Sequence, residues 1–142
     1  LKKLRHYDEI LIEKFIPGRE IQVAILRNEK LGAIELKPKR MFYDYEAKYN
    51  PKAKTEHIIP VNISKKNYNE VTSIALKAHK LLKCRGVTRS DFRFHRNKFY
   101  LLETNTQPGM TALSLVPEIA KYRNISFAQL ISKILLDASI NK

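Results

Sequence analysis

Two carboxylates, an amide and a guanidinium occur within one short stretch of this 142-residue chain. Arg89 and Asp91 come first, and Glu103 and Asn105 follow, shortly before a Pro-Gly pair. Oxygen ligands suit a hard divalent cation, and Mg²⁺ typically combines a few carboxylates with the phosphates of a substrate. Any one of these residues alone is better interpreted as a solvated residue at a strand end. As a group, they predict a site for a metal and a phosphorylated ligand.

The residues around this group have the pattern of a β-hairpin. Residues 90–94 alternate polar and apolar side chains, and residues 99–105 are aromatic and aliphatic until the last few positions. The polar residues 96–98 between them predict the turn.

The expected register brings the oxygen donors together. If His95 pairs with Phe99, Asp91 lies opposite Glu103. Because side chains alternate along a strand, Glu103 and Asn105 project to the same face. Like charges this close are unfavourable unless a positive charge lies between them. The hairpin therefore predicts a metal site formed by Asp91, Glu103 and Asn105.

The rest of the chain supplies further strands and helices, and Pro117 suits the first turn of a helix whose cap is Ser114 or a near neighbour. Residues 9–16, 20–27 and 31–36 predict strands, and residues 55–63 predict a short edge strand because Pro60 cannot donate to a ladder. A helix is expected from Ser64 to about Lys83, with Gly86 as a left-handed cap. Ser126 and Gln129 form a capping box before a terminal helix. Short loops between these strands predict an antiparallel sheet.

Residues 38–51 differ from their neighbours. The segment contains three tyrosines, a phenylalanine, charges of both signs and a proline at each end. Long irregular segments inside a compact domain are commonly functional. The composition indicates a flap that closes over a site, although aromatic residues that merely pin a surface loop would give the same pattern.

The net charge of +13 raises the question of nucleic-acid binding. The basic residues are scattered along the chain and form no continuous run, so we expect no nucleic-acid partner. No apolar run approaches the roughly 20 residues that span a bilayer, so no membrane association is expected. The single cysteine, Cys84, has no partner for a disulfide, which fits a reducing cytoplasm.

Four segments together resemble a known family. LLETNTQPGMTALSLVP, RSDFRF, FYDYEAKY and IEKFIPGRE are similar, in order and spacing, to the carboxyl-terminal half of D-alanine–D-alanine ligases of the ATP-grasp superfamily. The resemblance implies an α+β fold, with a mainly antiparallel sheet and flanking helices, for a single domain over residues 1–142. It also implies a fragment whose residues 1–16 include the link to an absent amino-terminal lobe. For this chain alone we expect weak nucleotide binding and no turnover.

The resemblance assigns roles to individual residues. Two Mg²⁺ ions, or Mn²⁺, would be held by Asp91, Glu103 and Asn105. ATP would be bound by Glu13, Lys14, Phe15, Ile16, Glu20, Phe42, Lys48 and Leu102. Leu102 is the weakest of these, because strict alternation turns it away from Glu103.

Further roles concern the reacting groups. Arg89 and Gly109 would stabilise charge at the acyl phosphate and oxyanion, although the spacing of Arg89 fits a simple salt bridge to Asp91 equally well. Lys48 would approach the phosphates, and Tyr49 would reach toward the amino-terminal half. Gly109, Ser114 and Leu115 would receive the second D-alanine.

The resemblance implies an ATP-dependent ligase that makes D-alanyl-D-alanine for peptidoglycan, and a homodimer for the full-length protein. A ligase that takes D-lactate or another acceptor is the nearest alternative. A basic, non-catalytic nucleic-acid-binding module is the alternative from a different class.

Overall fold

The computed structural model describes residues 6–38 and 55–138. Within these ranges the strands are β1 (Arg19–Leu26), β2 (Glu29–Lys37), β3 (Glu56–Ile58), β4 (Val87–His95) and β5 (Lys98–Asn105). The helices are α1 (Lys65–Leu81), α2 (Leu115–Tyr122) and α3 (Phe127–Asp137). None of the helices in the described ranges has the length and apolarity that a membrane crossing needs.

The strands form one antiparallel sheet in the order β3-β2-β1-β4-β5. β1 and β2 are joined by a tight turn, whereas β4 reaches its place beside β1 only after the chain has passed through β3 and α1. β1 is therefore the central strand, with β2 on one side and β4 on the other. The expected α+β class with a mainly antiparallel sheet is confirmed.

The first face of the sheet is apolar and lies under α1. Ile21, Val23 and Ile25 alternate along β1, and Phe92 is the cross-strand partner of Ile21. These side chains are fully buried with Val71 of α1. We call this the α1 face.

The second face is partly covered by α2 and α3. Ala24 and Leu26 of β1 pack there with Ile34, Ile119 and Leu130. Further along β1, the same face presents Gln22 and Glu20. We call the part around Gln22 and Glu20 the polar face.

The β4–β5 hairpin has a different register from the expected one near its turn. His95 pairs with Lys98, not with Phe99, and Phe94 pairs with Phe99. The turn has two residues, Arg96 and Asn97, and both have positive φ, as a type I′ hairpin turn requires. The three-residue turn and the His95–Phe99 pair were therefore wrong.

A β-bulge restores the pairing on which the metal site depends. The register shifts between Phe92 and Asp91, so that Phe92 pairs with Leu101 but Asp91 pairs with Glu103. Leu102 is the extra residue. The prediction that Asp91 lies opposite Glu103 is confirmed, although by a bulge and not by a regular ladder.

Two other local predictions need correction. Residues 9–16 form no strand, and β1 begins only at Arg19. Despite their β-forming composition, they pair with none of the strands within residues 6–38 and 55–138. After α1 the left-handed residue is Lys83, with φ of 53°, and the positive φ of Gly86 belongs to the entry into β4.

The helix starts expected at Ser64, Ser114 and Ser126 are all observed. The Ser64 hydroxyl accepts a hydrogen bond from the Asn67 N–H (3.1 Å) at the start of α1. Ser126 and Gln129 exchange the two hydrogen bonds of a capping box before α3. The loop of residues 38–51 falls almost entirely outside the described residues, as do its candidates Phe42, Lys48 and Tyr49.

Candidate functional site

The side chains of the polar face form neighbouring rows of cross-strand partners on β1, β4 and β5. The middle row runs from Gln22 through Asp91 to Glu103. One neighbouring row contains Ala24, Arg89 and Asn105, and the row on the other side contains Glu20 and Arg93. Cross-strand partners project to the same face, so these side chains share one surface. The structure thus places Arg89, Asp91, Glu103 and Asn105 on one face, as the hairpin predicted, and adds Glu20 to the same surface.

Arg89 lies between the two carboxylates of the middle row. Its Nε and Nη2 donate to the two oxygens of Asp91, at 2.8 and 3.1 Å. Its Nη2 is 3.9 Å from Glu103 Oε1. The side chains of Arg89 and Asp91 are only 13% and 8% exposed, whereas that of Glu103 is 59% exposed. The salt bridge between Arg89 and Asp91 that the spacing allowed is therefore present, and it supplies a positive charge beside both acids.

The remaining oxygen donors are amides. Asn105 Oδ1 accepts a hydrogen bond from the Gln107 N–H (2.9 Å), which fixes the end of β5. Gln22 is fully buried beside Asp91, and its Oε1 has no hydrogen-bond partner among the described residues. A buried acceptor without a donor costs free energy unless a ligand or cation satisfies it.

These donors fit a hard divalent cation. All of them are carboxylate or amide oxygens, the ligand type that Mg²⁺ selects. Among the described residues, no three His, Cys, Asp or Glu side chains gather as a metal cluster. The candidate set has a different composition, because only two of its members, Asp91 and Glu103, are acids. The unpartnered Gln22 oxygen next to Asp91 is the observation that favours a ligand here.

Sequence reasoning missed Gln22 and Arg93. Arg93 Nη2 lies 3.5 Å from Glu20 Oε2, and Gln22 Nε2 lies 3.4 Å from Glu20 Oε1. The period-two signal could have found both. Gln22 follows Glu20 by two positions on β1, and Arg93 follows Asp91 by two positions on β4.

The bulge changes the interpretation of Leu102. Leu101 pairs with Phe92 of the α1 face, whereas Glu103 pairs with Asp91 of the polar face. One change of side occurs between Leu101 and Glu103, before or after Leu102, so alternation no longer excludes Leu102 from the side of Glu103. Leu102 is 51% exposed. Strict alternation was the objection to Leu102 as a ligand contact, and it does not hold at a bulge.

A folded loop after β5 places Gly109 against Ser114. A Cβ at Gly109 would lie 2.8 Å from Ser114 Oγ, so a side chain does not fit there without a shift. Ser114 Oγ accepts from the Thr111 N–H (2.9 Å). Ser114 is the N-cap residue of α2, but its hydroxyl makes no capping hydrogen bond. The helix begins at Leu115, whose side chain is buried in the core.

The remaining nucleotide candidates precede β1. Glu13, Lys14 and Phe15 are exposed and Ile16 is partly buried, in a segment that belongs to no strand or helix. Gly18 connects this segment to β1 with a φ of 108°, and a Cβ there would collide with the carbonyl oxygen of Phe94. The segment thus enters the sheet at the same end of β1 as Glu20.

The comparisons with a family model and with curated proteins agree with each other. The family model described as "D-ala D-ala ligase C-terminus" matches residues 1–136. A D-alanine--D-alanine ligase from Pelagibacter ubique is 68% identical over 142 residues, which is 100% of this chain and 47% of that protein. One from Geotalea uraniireducens is 46% identical over 142 residues, covering 99% of this chain and 46% of that protein. The chain thus spans about half the length of the curated relatives it matches.

A solved structure gives the same result. The D-alanine--D-alanine ligase from Bacillus anthracis complexed with ATP superimposes with a TM-score of 0.74 and 31% sequence identity. The match covers 88% of this chain and 41% of that one. The sheet, the flanking helices and the nearly complete family match agree, and the chain belongs to the D-alanine–D-alanine ligase family, of which it represents the carboxyl-terminal portion.

Proposed function

We propose that this chain forms the ATP- and metal-binding part of a ligase that joins two D-alanines. One observation carries the proposal: Asp91 pairs with Glu103, and Arg89 pairs with Asn105, on one face of the sheet. The same chain matches D-alanine–D-alanine ligases along its whole length. The cross-strand pairs and the family match together favour catalysis over a non-catalytic basic module. Such a module does not need two acids beside a buried guanidinium.

In the proposed site, Asp91, Glu103 and Asn105 hold two Mg²⁺ ions. When bound, the ions neutralise the charge of the phosphates of ATP. Arg89 already neutralises Asp91, and it would release part of this contact to meet a phosphoryl group. Preorganised positive charge in a site of low exposure is worth more than the same charge in water. Glu13, Lys14, Phe15, Ile16, Glu20 and Leu102 contact the nucleotide in this proposal, together with Phe42 and Lys48.

The proposed reaction has two steps. ATP first transfers its γ-phosphoryl group to the carboxylate of one D-alanine, and ADP leaves. The amine of the second D-alanine then forms the new C–N bond and loses a proton, while the bond from carbon to the phosphoryl oxygen breaks and phosphate leaves. The chain contributes positioning and charge neutralisation, the main needs of phosphoryl transfer. The Gly109 N–H faces the oxyanion, and the α2 start at Ser114 and Leu115 receives the carboxylate of the acceptor. In this proposal Tyr49 would reach toward groups of the amino-terminal half.

A titration with ATP tests the binding part of the proposal. Asn105→Ala is expected to weaken Mg²⁺-dependent ATP binding by about tenfold or more, because it removes a metal ligand. Asn69→Ala, at an exposed position of α1, is the matched control and should leave the affinity unchanged. Equal affinities for wild type and Asn105→Ala in the presence of Mg²⁺ would contradict the metal assignment.

A chimera tests the reaction. Residues 1–142 would replace the matching 142 residues of the Pelagibacter ubique relative, and phosphate release and dipeptide would be measured. We expect D-alanyl-D-alanine from the chimera and none from its Asp91→Asn variant. Adding D-lactate as a competing acceptor distinguishes the two ligase types. A folded chimera that forms only the D-lactate product would overturn the D-alanine assignment but keep the ligase.

A further inference from the structure

Both oxygens of one acidic side chain on the polar face are approached by neighbours that have no assigned role. Glu20 Oε2 lies 3.5 Å from Arg93 Nη2, and Glu20 Oε1 lies 3.4 Å from Gln22 Nε2. The side chains of Arg93 and Glu20 are both largely buried. A carboxylate approached on both oxygens has few alternative orientations.

Arg93 also contacts the segment that leads into β1. Its Nη1 donates to the carbonyl oxygen of Gly18 (3.2 Å). The Arg93 guanidinium on β4 therefore contacts two parts of the β1 region: the Gly18 carbonyl before the strand and the Glu20 carboxylate within it. The planar fork of Arg can make both contacts at once, which the single ammonium of a Lys cannot reproduce in the same geometry.

We propose that Arg93, assisted by Gln22, is the positioning residue that holds the Glu20 carboxylate for the sugar of the nucleotide. This inference rests on the proposed function, in which Glu20 contacts ATP. A carboxylate that accepts hydrogen bonds from ribose hydroxyls recognises them only in one orientation. Arg93 fixes that orientation without touching the nucleotide, so its effect should depend on those hydroxyls.

The test compares ATP with 2′,3′-dideoxy-ATP, which lacks both hydroxyls. We expect the wild-type protein to bind ATP about tenfold more tightly than the dideoxy compound, the usual effect of a hydrogen bond to a charged group. Arg93→Met should reduce this ratio to below about threefold, with most of the loss in ATP affinity. Arg93→Lys should restore part of the ratio. A general loss of folded protein lowers both affinities equally and leaves the ratio unchanged.

The opposite face provides a matched control. Arg19 forms a bidentate pair with Glu35, and its register partner Phe94 belongs to the α1 face. Arg19→Met removes an Arg–Glu pair of the same kind from the same strand as Glu20. It should lower stability and leave the ratio of the two affinities at the wild-type value.

The outcomes separate the two proposals. If the wild type does not bind ATP, or if Glu20→Gln leaves the ratio unchanged, the nucleotide role of Glu20 is wrong and the inference fails with it. If Glu20→Gln reduces the ratio but Arg93→Met does not, the inference alone is overturned. If Arg93→Met does not fold, Arg93→Gln takes its place, with the same expected reduction and the same contradicting result.

Discussion

The two faces of the central sheet use opposite means of excluding water. On the α1 face, Ile21, Val23 and Phe92 pack against a helix and are fully buried. On the polar face, Gln22 and Asp91 are also buried, but their neighbours are charged. Burying polar groups costs free energy unless partners compensate. β1 therefore has two different sides. One side stabilises the fold by burying apolar groups, and on the other side stability depends on paired charges.

The largest effect is expected on the α1 face. Phe92→Ala removes a fully buried ring that meets Phe99 edge to face at 6.3 Å between centroids. We expect a loss of about 4 kcal/mol in the free energy of unfolding, measured by urea denaturation. Mg²⁺ should not restore this loss. Leu102→Ala is the control on the neighbouring strand, and its exposed side chain should cost less than about 1 kcal/mol.

On the polar face, Arg89→Met is expected to cost about 3 kcal/mol, because it leaves the buried Asp91 carboxylate without its cation. A divalent cation that binds only the folded protein stabilises it by mass action. Millimolar Mg²⁺ should therefore recover part of the loss in Arg89→Met and none of the loss in Phe92→Ala. Recovery in both variants, or in neither, would remove the proposed distinction between the faces.

The smallest effect concerns a buried histidine at the α1 face. His79 is buried in α1, where its Nδ1 lies 2.9 Å from Thr88 Oγ1 and its Nε2 has no partner among the described residues. Burial lowers the pKa of His79 below its usual 6.5, against the opposing effect of Asp137 and with that of Lys80.

A lowered pKa means that the unfolded chain binds the proton more readily than the folded one. The contribution of His79 to stability is therefore fully present above pH 6.5 and decreases as the pH falls below 6.5 toward the folded pKa. His79→Gln should reduce the difference in unfolding free energy between pH 7.5 and pH 5.5. An unchanged difference in this variant would show that other groups cause the pH dependence.

How far the sequence predicts this structure depends on the kind of information each element needs. Alternation was sufficient for β1, and the side-chain chemistry of Ser126 and Gln129 was sufficient for the start of α3. Residues 9–16 have β-forming side chains but pair with no strand in the part of the chain that the structure describes, which only the tertiary arrangement reveals. The bulge could not be predicted, because Leu101 and Leu102 are equally apolar and give no sign of which one is unpaired.

The site was predicted through its acids and not through what supports them. Asp91 and Glu103 attracted attention as possible metal ligands. Gln22 and Arg93 have ordinary side chains for a strand, and their significance depends on contacts across strands that only the register of β1 and β4 specifies. A search for polar residues two positions from each candidate would have found both.

Because of the bulge at Leu102, the number of residues in β5 can change while its acidic and amide side chains keep their cross-strand partners. Deleting Leu102 would leave Asp91 opposite Glu103 and Arg89 opposite Asn105, because the extra residue takes part in neither pair. The hairpin can therefore gain or lose one apolar side chain next to the oxygen donors while the donors keep their neighbours. Variation in length at this position would alter the shape of the surface beside the acids and preserve their chemistry.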